Sequence, residues 1–193
     1  MLSSEESLKI LKETKALIEG HFILSSGLHS PKYVQCAQLM SKPSQATQIC
    51  HSLVKKIKSE FENIDLILSP AMGGIVVGYE IGKLLGVETI FSERVNGKFQ
   101  LRRDFKIKQN TNVLIVEDVI TTGKSSIECS NLVKVNKANI VGYACIIDRS
   151  DGKTEINDKI ISQIKLNIPT YKKENLPKEL ISIDPVKPGS RNL

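Results

Sequence analysis

Four apolar runs of strand length, at 64–69, 87–91, 112–117 and 140–147, fall in a chain whose stretches 74–85 and 123–135 have helical spacing. Strands alternating with helices pair through crossovers rather than hairpins, which gives a parallel sheet. A sheet of this kind binds its ligands just outside the carboxyl ends of the strands. The residues with the most chemistry to offer stand at those places, directly after Ser69, Phe91, Glu117 and Ile147. One more edge strand is expected near 160–166, ahead of a Pro-rich tail. The fold class expected is therefore α/β, a parallel sheet flanked by helices. Neither an internal repeat nor a linker divides the 193 residues, so residues 1–193 read as one domain.

Ahead of the sheet, Ser3 and Glu6 fit a capping box, and Leu8, Leu11 and Ile18 follow at helical spacing. This predicts a helix over 4–19 that ends at Gly20. Residues 22–38 read as a loop-rich or short-strand segment punctuated by Ser25, Ser26, Gly27 and Pro31. From Pro43 a helix is predicted by Ala46, Ile49, Cys50, Leu53, Val54, Ile57 and Phe61. Lys55, Lys56 and Lys58 fall on its other faces and read as a solvated surface, with anion binding the alternative.

Composition narrows the partners. A net charge of +6, from 27 basic and 21 acidic residues, fits an anionic partner. No block of like charge forms a nucleic-acid arm, and 5% aromatics with no Trp leave little to stack on bases. Nucleic acid is not expected. Cys36, Cys50, Cys129 and Cys145 lack CxxC spacing and read as buried free thiols of a reducing compartment. His21, His29 and His51 form no metal-binding pattern. The acidic N-terminus does not read as a signal peptide, and no apolar run is of membrane-spanning length. A cytoplasmic location follows.

The segment Val113-Leu114-Ile115-Val116-Glu117-Asp118-Val119-Ile120-Thr121-Thr122-Gly123-Lys124-Ser125 carries the strongest chemical signal. An apolar strand delivers two carboxylates, then a small hydroxyl- and Gly-rich loop, then a helix. Adjacent carboxylates can accept hydrogen bonds from the two hydroxyls of a ribose. The loop amides and the helix N-terminus suit a phosphate. Gly123-Lys124-Ser125 is not a P-loop, because that motif needs a Gly at 118, where this chain has Asp.

This segment closely resembles the 5-phosphoribosyl diphosphate (PRPP) binding motif of type I phosphoribosyltransferases. The resemblance implies a parallel sheet with a small hood and PRPP as substrate. Three further stretches are similar to the orotate phosphoribosyltransferase family. Gly20 to Tyr33 resembles the hood over the pyrimidine, within a hood at about 20–40. Ser69-Pro70-Ala71-Met72-Gly73-Gly74 resembles the pyrophosphate loop. Arg149, after Ile147-Asp148, resembles the orotate-binding Arg, and a guanidinium can meet a carboxylate in a fork. The tail Pro185-Val186-Lys187-Pro188-Gly189-Ser190 extends the likeness to nearly the whole chain.

The resemblance implies PRPP binding by Arg94, Glu117, Asp118, Val119, Ile120, Thr121, Thr122, Gly123, Lys124 and Ser125, and orotate binding by Thr121 and Arg149. Lys98 and Asp118 would be catalytic. Mg2+ would be held mainly by substrate and water, with no dedicated protein site. Residues 93–105, basic with an Asn96-Gly97 turn, read as a hairpin or mobile flap. They resemble the family's catalytic loop, a flap at about 93–110 that crosses to the neighbouring site of a homodimer. Many relatives carry Lys at the positions of Ser25, Gly73 and Val95 and His at that of Gln100. The resemblance thus leaves Arg94 and Lys98, with Arg102 and Arg103, as flap cations. It also implies a cis peptide at Ala71–Met72, with the Gly73 and Gly74 amides facing an anion. A purine-base phosphoribosyltransferase and a non-catalytic regulator of the same fold are the alternatives. The hood and Arg149 disfavour the first; Lys98, Glu117 and Asp118 disfavour the second.

Overall fold

The computed structural model describes residues 1–24 and 26–188. Ser25, and Gly189 and Ser190 of the tail motif, lie outside them. Helix α1, Ser4–Glu13, begins at the predicted capping box, with the Ser3 amide donating to Glu6 Oε2 at 2.7 Å and the Glu6 amide to Ser3 Oγ at 3.1 Å. It does not run to Gly20. Thr14 caps it, Lys15 turns left-handed at φ 58°, and the chain leaves as strand β1, Leu17–Ile23. Leu17 is buried while Ile18 is exposed, so the second half of the apolar pattern serves a strand. Strand β2, His29–Val34, pairs antiparallel with β1. Short helix α2, Cys36–Met40, which the sequence did not reveal, leads into α3, Pro43–Glu60.

The main sheet contains β3 (Leu66–Pro70), β4 (Glu88–Val95), β5 (Lys98–Leu101), β6 (Asn112–Ile120), β7 (Asn139–Asp148) and β8 (Ile160–Lys165). Its order is β5-β4-β3-β6-β7-β8. Every pairing is parallel except β4 with β5, which is the antiparallel hairpin read from Asn96-Gly97. Helix α4, Gly73–Leu85, follows β3, and α5, Lys124–Val135, follows β6. Central strands are apolar on both sides, as a sheet covered on both faces requires. Ile67, Leu114 and Val116 pack with α1–α4, while Leu66, Leu68, Val113 and Ile115 pack with Cys129 and Val133 of α5. Of the lysines on α3, Lys56 donates to the carbonyls of Ser162 and Gln163 at 3.2 and 2.7 Å, tying the helix to β8. All four cysteines are free and buried.

The β1–β2 hairpin is tied down on both sides. Val186 bridges to Phe22 of β1, and Tyr171 exchanges two 2.8 Å bonds with His29 of β2. Inside it, His21 Nε2 lies 2.6 Å from His29 Nδ1, and His21 Nδ1 lies 2.8 Å from the Ile183 carbonyl. A carbonyl only accepts, so His21 Nδ1 carries a proton; with that ring neutral, Nε2 accepts from His29. Both imidazoles are buried. His29→Ala leaves the His21 nitrogen without its partner and should cost about 1–3 kcal/mol of stability, read as a lower urea midpoint. An unchanged midpoint would show that the pair is open in solution.

Candidate active site

Strand β6 outruns its neighbour β3. Their pairing ends at Leu68 and Ile115, whereas β6 continues to Ile120 along β7. Glu117 and Asp118 therefore lie within the strand, not at its end as the sequence reading had it, on a stretch unpaired on the β3 side. Successive strand residues point to opposite faces. Glu117 accepts from Ser126 Oγ of α5 at 3.4 Å. Asp118 turns to α4, where a Cβ added to Gly73 would lie 2.6–2.8 Å from its carboxylate atoms. The pair is thus set between the starts of two helices. Gly73 gives Asp118 its room: any side chain there would need this carboxylate to move.

Neither helix has a capping side chain, since the N-cap positions are Met72 and Gly123. First-turn amides of an uncapped helix lack intrahelical partners and favour an anion. The Ala71–Met72 peptide is cis, as the loop's resemblance implied. The 121–123 turn joins β6 to α5, with Gly123 in the left-handed region at φ 80°. The Lys124 amide makes a long 3.4 Å contact with Thr122 Oγ1. Thr121, Thr122 and Lys124 are exposed, whereas Ile120 is buried beneath them. Arg149 is fastened to this loop, its amide donating to the Ile120 carbonyl at 2.8 Å. Its guanidinium Nε is buried without a hydrogen-bond partner, and burial lowers its pKa.

The basic residues of the 93–105 hairpin segment divide. Register pairs Arg94 with Phe99 and Val95 with Lys98. Arg94 meets Glu128 of α5 at 2.8 Å, donates to the Gly97 carbonyl and lies 4.2 Å from the Phe99 ring centre. Arg103 holds Glu93 by two bonds of 3.0 and 3.1 Å. Lys98 and Arg102 are exposed, and their side chains make no hydrogen bond or ion pair among the described residues. Lys98 sits on the hairpin face away from α5. Nothing in the sequence pattern flagged Ser126, Glu128 or Cys36, whose Sγ lies 3.9 Å from the Asp118 carbonyl.

A cavity of about 540 Å3 lies beside this site rather than over it, lined by Asp148, Ser150, Thr154, Asp158 and Lys165 among others. Among the described residues no group of three or more His, Cys, Asp or Glu could hold a metal.

Burial, then the Asp118 charge, pushes Glu117 up to about 8; burial also raises Asp118, opposed by hydrogen bonds from backbone amides. Between the ordinary value of 4.5 and about 8 the unfolded chain binds fewer protons at this position than the native one. Native stability therefore falls as pH rises through that window and levels off above it. Glu117→Gln removes this penalty. The ligand-free variant should exceed the parent at pH 9 by on the order of a few kcal/mol, at about 1.4 kcal/mol per pKa unit, and match it near pH 4. Urea unfolding at the two pH values measures this; a pH-independent difference would mean that Glu117 is not buried as described.

Comparisons with known proteins agree with this geometry. The family described as "Phosphoribosyl transferase domain" matches residues 37–177. The orotate phosphoribosyltransferase of Methylorubrum extorquens (strain PA1) is 46% identical over 193 residues, covering 100% of this chain and 98% of its own. That of Parvibaculum lavamentivorans is 43% identical, covering 100% of each. The crystal structure of orotate phosphoribosyltransferase from Aeropyrum pernix superposes with a TM-score of 0.72, covering 82% of this chain and 92% of that one, and at 23% identity this is a likeness of fold. With identity this high over its whole length, and a family match over most of it, the chain belongs to the orotate phosphoribosyltransferase family.

Proposed function

We propose that this protein transfers the 5-phosphoribosyl group from PRPP to orotate, giving orotidine 5′-monophosphate and pyrophosphate in pyrimidine (UMP) biosynthesis. The observation that carries the choice of base is Arg149, joined through its amide to Ile120 and holding a buried, unpartnered Nε. A desolvated guanidinium beside a ribose-phosphate cradle suits a base with a carboxylate, which orotate has and purines lack. The names of the full-length relatives support the same reading.

In this reading residues 119–125 hold the 5-phosphate, and Glu117 and Asp118 accept hydrogen bonds from the ribose hydroxyls. Thr121 and Arg149 hold orotate beneath a hood formed by about residues 20–40. Orotate N1 attacks C1′ as the C1′–O bond breaks, the N1 proton passes to solvent, and pyrophosphate departs. Placement of two bound reactants and stabilisation of the leaving charge account for the catalysis. Lys98, on a flap of about 93–110, meets the leaving diphosphate. Arg94 is the second proposed PRPP contact and would have to exchange Glu128 for it. Mg2+ would neutralise diphosphate charge, and two raised carboxylates with no third ligand suit an ion carried mainly by substrate oxygens and water. The single-domain chain would act as a homodimer in the cytoplasm. Exposed Met72, the N-cap of α4, and Val76 and Tyr79 within it form an apolar stripe beside a groove of about 250 Å3, a surface that suits a second copy.

The direct test is orotate consumption with PRPP and Mg2+, beside adenine, hypoxanthine and uracil; activity on a purine and none on orotate would reject the proposal. Arg149→Ala should raise the KM for orotate far more than that for PRPP, and equal effects would make Arg149 structural. Lys98→Ala should lower kcat by about 10²–10³, and an unchanged kcat would pass the role to Arg102. Mixed Lys98→Ala and Asp118→Asn chains should recover part of the activity if the flap serves the neighbouring site. Verified mixed dimers without recovery would place each site within one chain.

A further inference from the structure

The phosphate loop is braced from behind by the segment that follows Arg149. Thr154 Oγ1 donates to the Thr122 carbonyl at 3.1 Å, and the Glu155 amide reaches the same oxygen at 3.3 Å. The Ile156 amide donates to Thr154 Oγ1 at 3.1 Å. An amide can only donate, so the threonine hydroxyl accepts there and gives its own proton to Thr122. This fixes the direction of the Thr122 carbonyl.

The orientation matters because of peptide geometry. The bond between Thr122 and Gly123 is trans, so the carbonyl of one and the N–H of the other point opposite ways. Drawing the carbonyl toward Thr154 turns the Gly123 amide the opposite way, away from the Thr154 segment and at the N-cap of α5, which has no side-chain cap. The fit is close. A Cβ on Gly123 would lie 2.5 Å from Thr154 Oγ1 and 2.8 Å from Ile156 side-chain carbons. The Arg149 amide bonds Ile120 at the start of the same turn, so one segment grips the phosphate loop at both ends.

We propose that Thr154 is a positioning residue for the phosphate site: it holds the Thr122 carbonyl outward so that the Gly123 amide faces the 5-phosphate of the ribosyl donor. Thr154 touches no substrate and acts through the Thr122–Gly123 peptide. The proposal rests on the reading of residues 119–125 as the 5-phosphate cradle and of the Ser69–Gly74 loop as the diphosphate side.

Calorimetric titration of the full chain with ribose 5-phosphate, and separately with magnesium pyrophosphate, tests it in the parent, Thr154→Val and Thr154→Ser. Thr154→Val keeps the shape and loses the hydroxyl. It should weaken ribose 5-phosphate binding by about three- to tenfold, the scale of one hydrogen bond, and leave pyrophosphate binding unchanged. Thr154→Ser should bind both as the parent does. Unchanged ribose 5-phosphate affinity in Thr154→Val overturns the proposal. So does an equal loss for both ligands, which would mean general loosening, and so does a Thr154→Ser variant as weak as the valine one. A parent that binds pyrophosphate but not ribose 5-phosphate would instead refute the cradle itself and remove this role with it.

Discussion

Glu117 and Asp118 ride the central strand into a gap between the starts of α4 and α5, and burial there raises the pKa of both. Carboxylates in such a place need positive partners. Those that the fold supplies are weak: one serine hydroxyl, the Asp118 and Val119 amides and the partial positive ends of two helices. The surroundings follow from keeping this gap narrow yet open. Capping side chains are absent at Met72 and Gly123, where they would occupy amides that an anion can use. Gly73 supplies the space for Asp118.

The β4–β5 hairpin is built on a similar division of labour. Its α5 face is filled by Arg94, held among Glu128, Phe99 and the Gly97 carbonyl. Ser92 and Cys129, 3.2 Å apart, extend that contact below. The helix that follows the 121–123 turn thereby also supports this hairpin. Lys98, on the opposite face, and Arg102 are left exposed. A hairpin with one bound face and one open face can present cations without losing its register, because cross-strand pairing fixes which side each residue takes.

Much of this was legible in the chain. Alternating apolar runs located β3, β4, β6, β7 and β8 to within a few residues, because burial on both faces demands uninterrupted apolar side chains. Asn96-Gly97 marked its hairpin. The boundaries that failed did so for tertiary reasons. Leu17 and Ile18 continue a helical pattern, but the chain turns at Lys15 so that β1 can pair with β2 and Val186. Strand β6 runs past Glu117 because β7 remains beside it, a partner that local sequence does not reveal.

The sequence by itself determined the fold class and which segments set carboxylates, hydroxyls and glycines after the sheet strands, since both depend on local periodicity and on residue types in consecutive order. The three-dimensional packing decided which of those groups are committed and which are left open. Arg94 and Arg103 found carboxylates while Lys98 and Arg102 did not, although all four look alike in sequence. Glu117 and Asp118, adjacent in the chain, were sent to different helices by the strand pleat. Thr154 reached the Thr122 carbonyl across 32 residues. Contacts between distant segments depend on where the sheet brings their ends, and a side chain's neighbours in space, unlike its neighbours in sequence, exist only once the chain has packed.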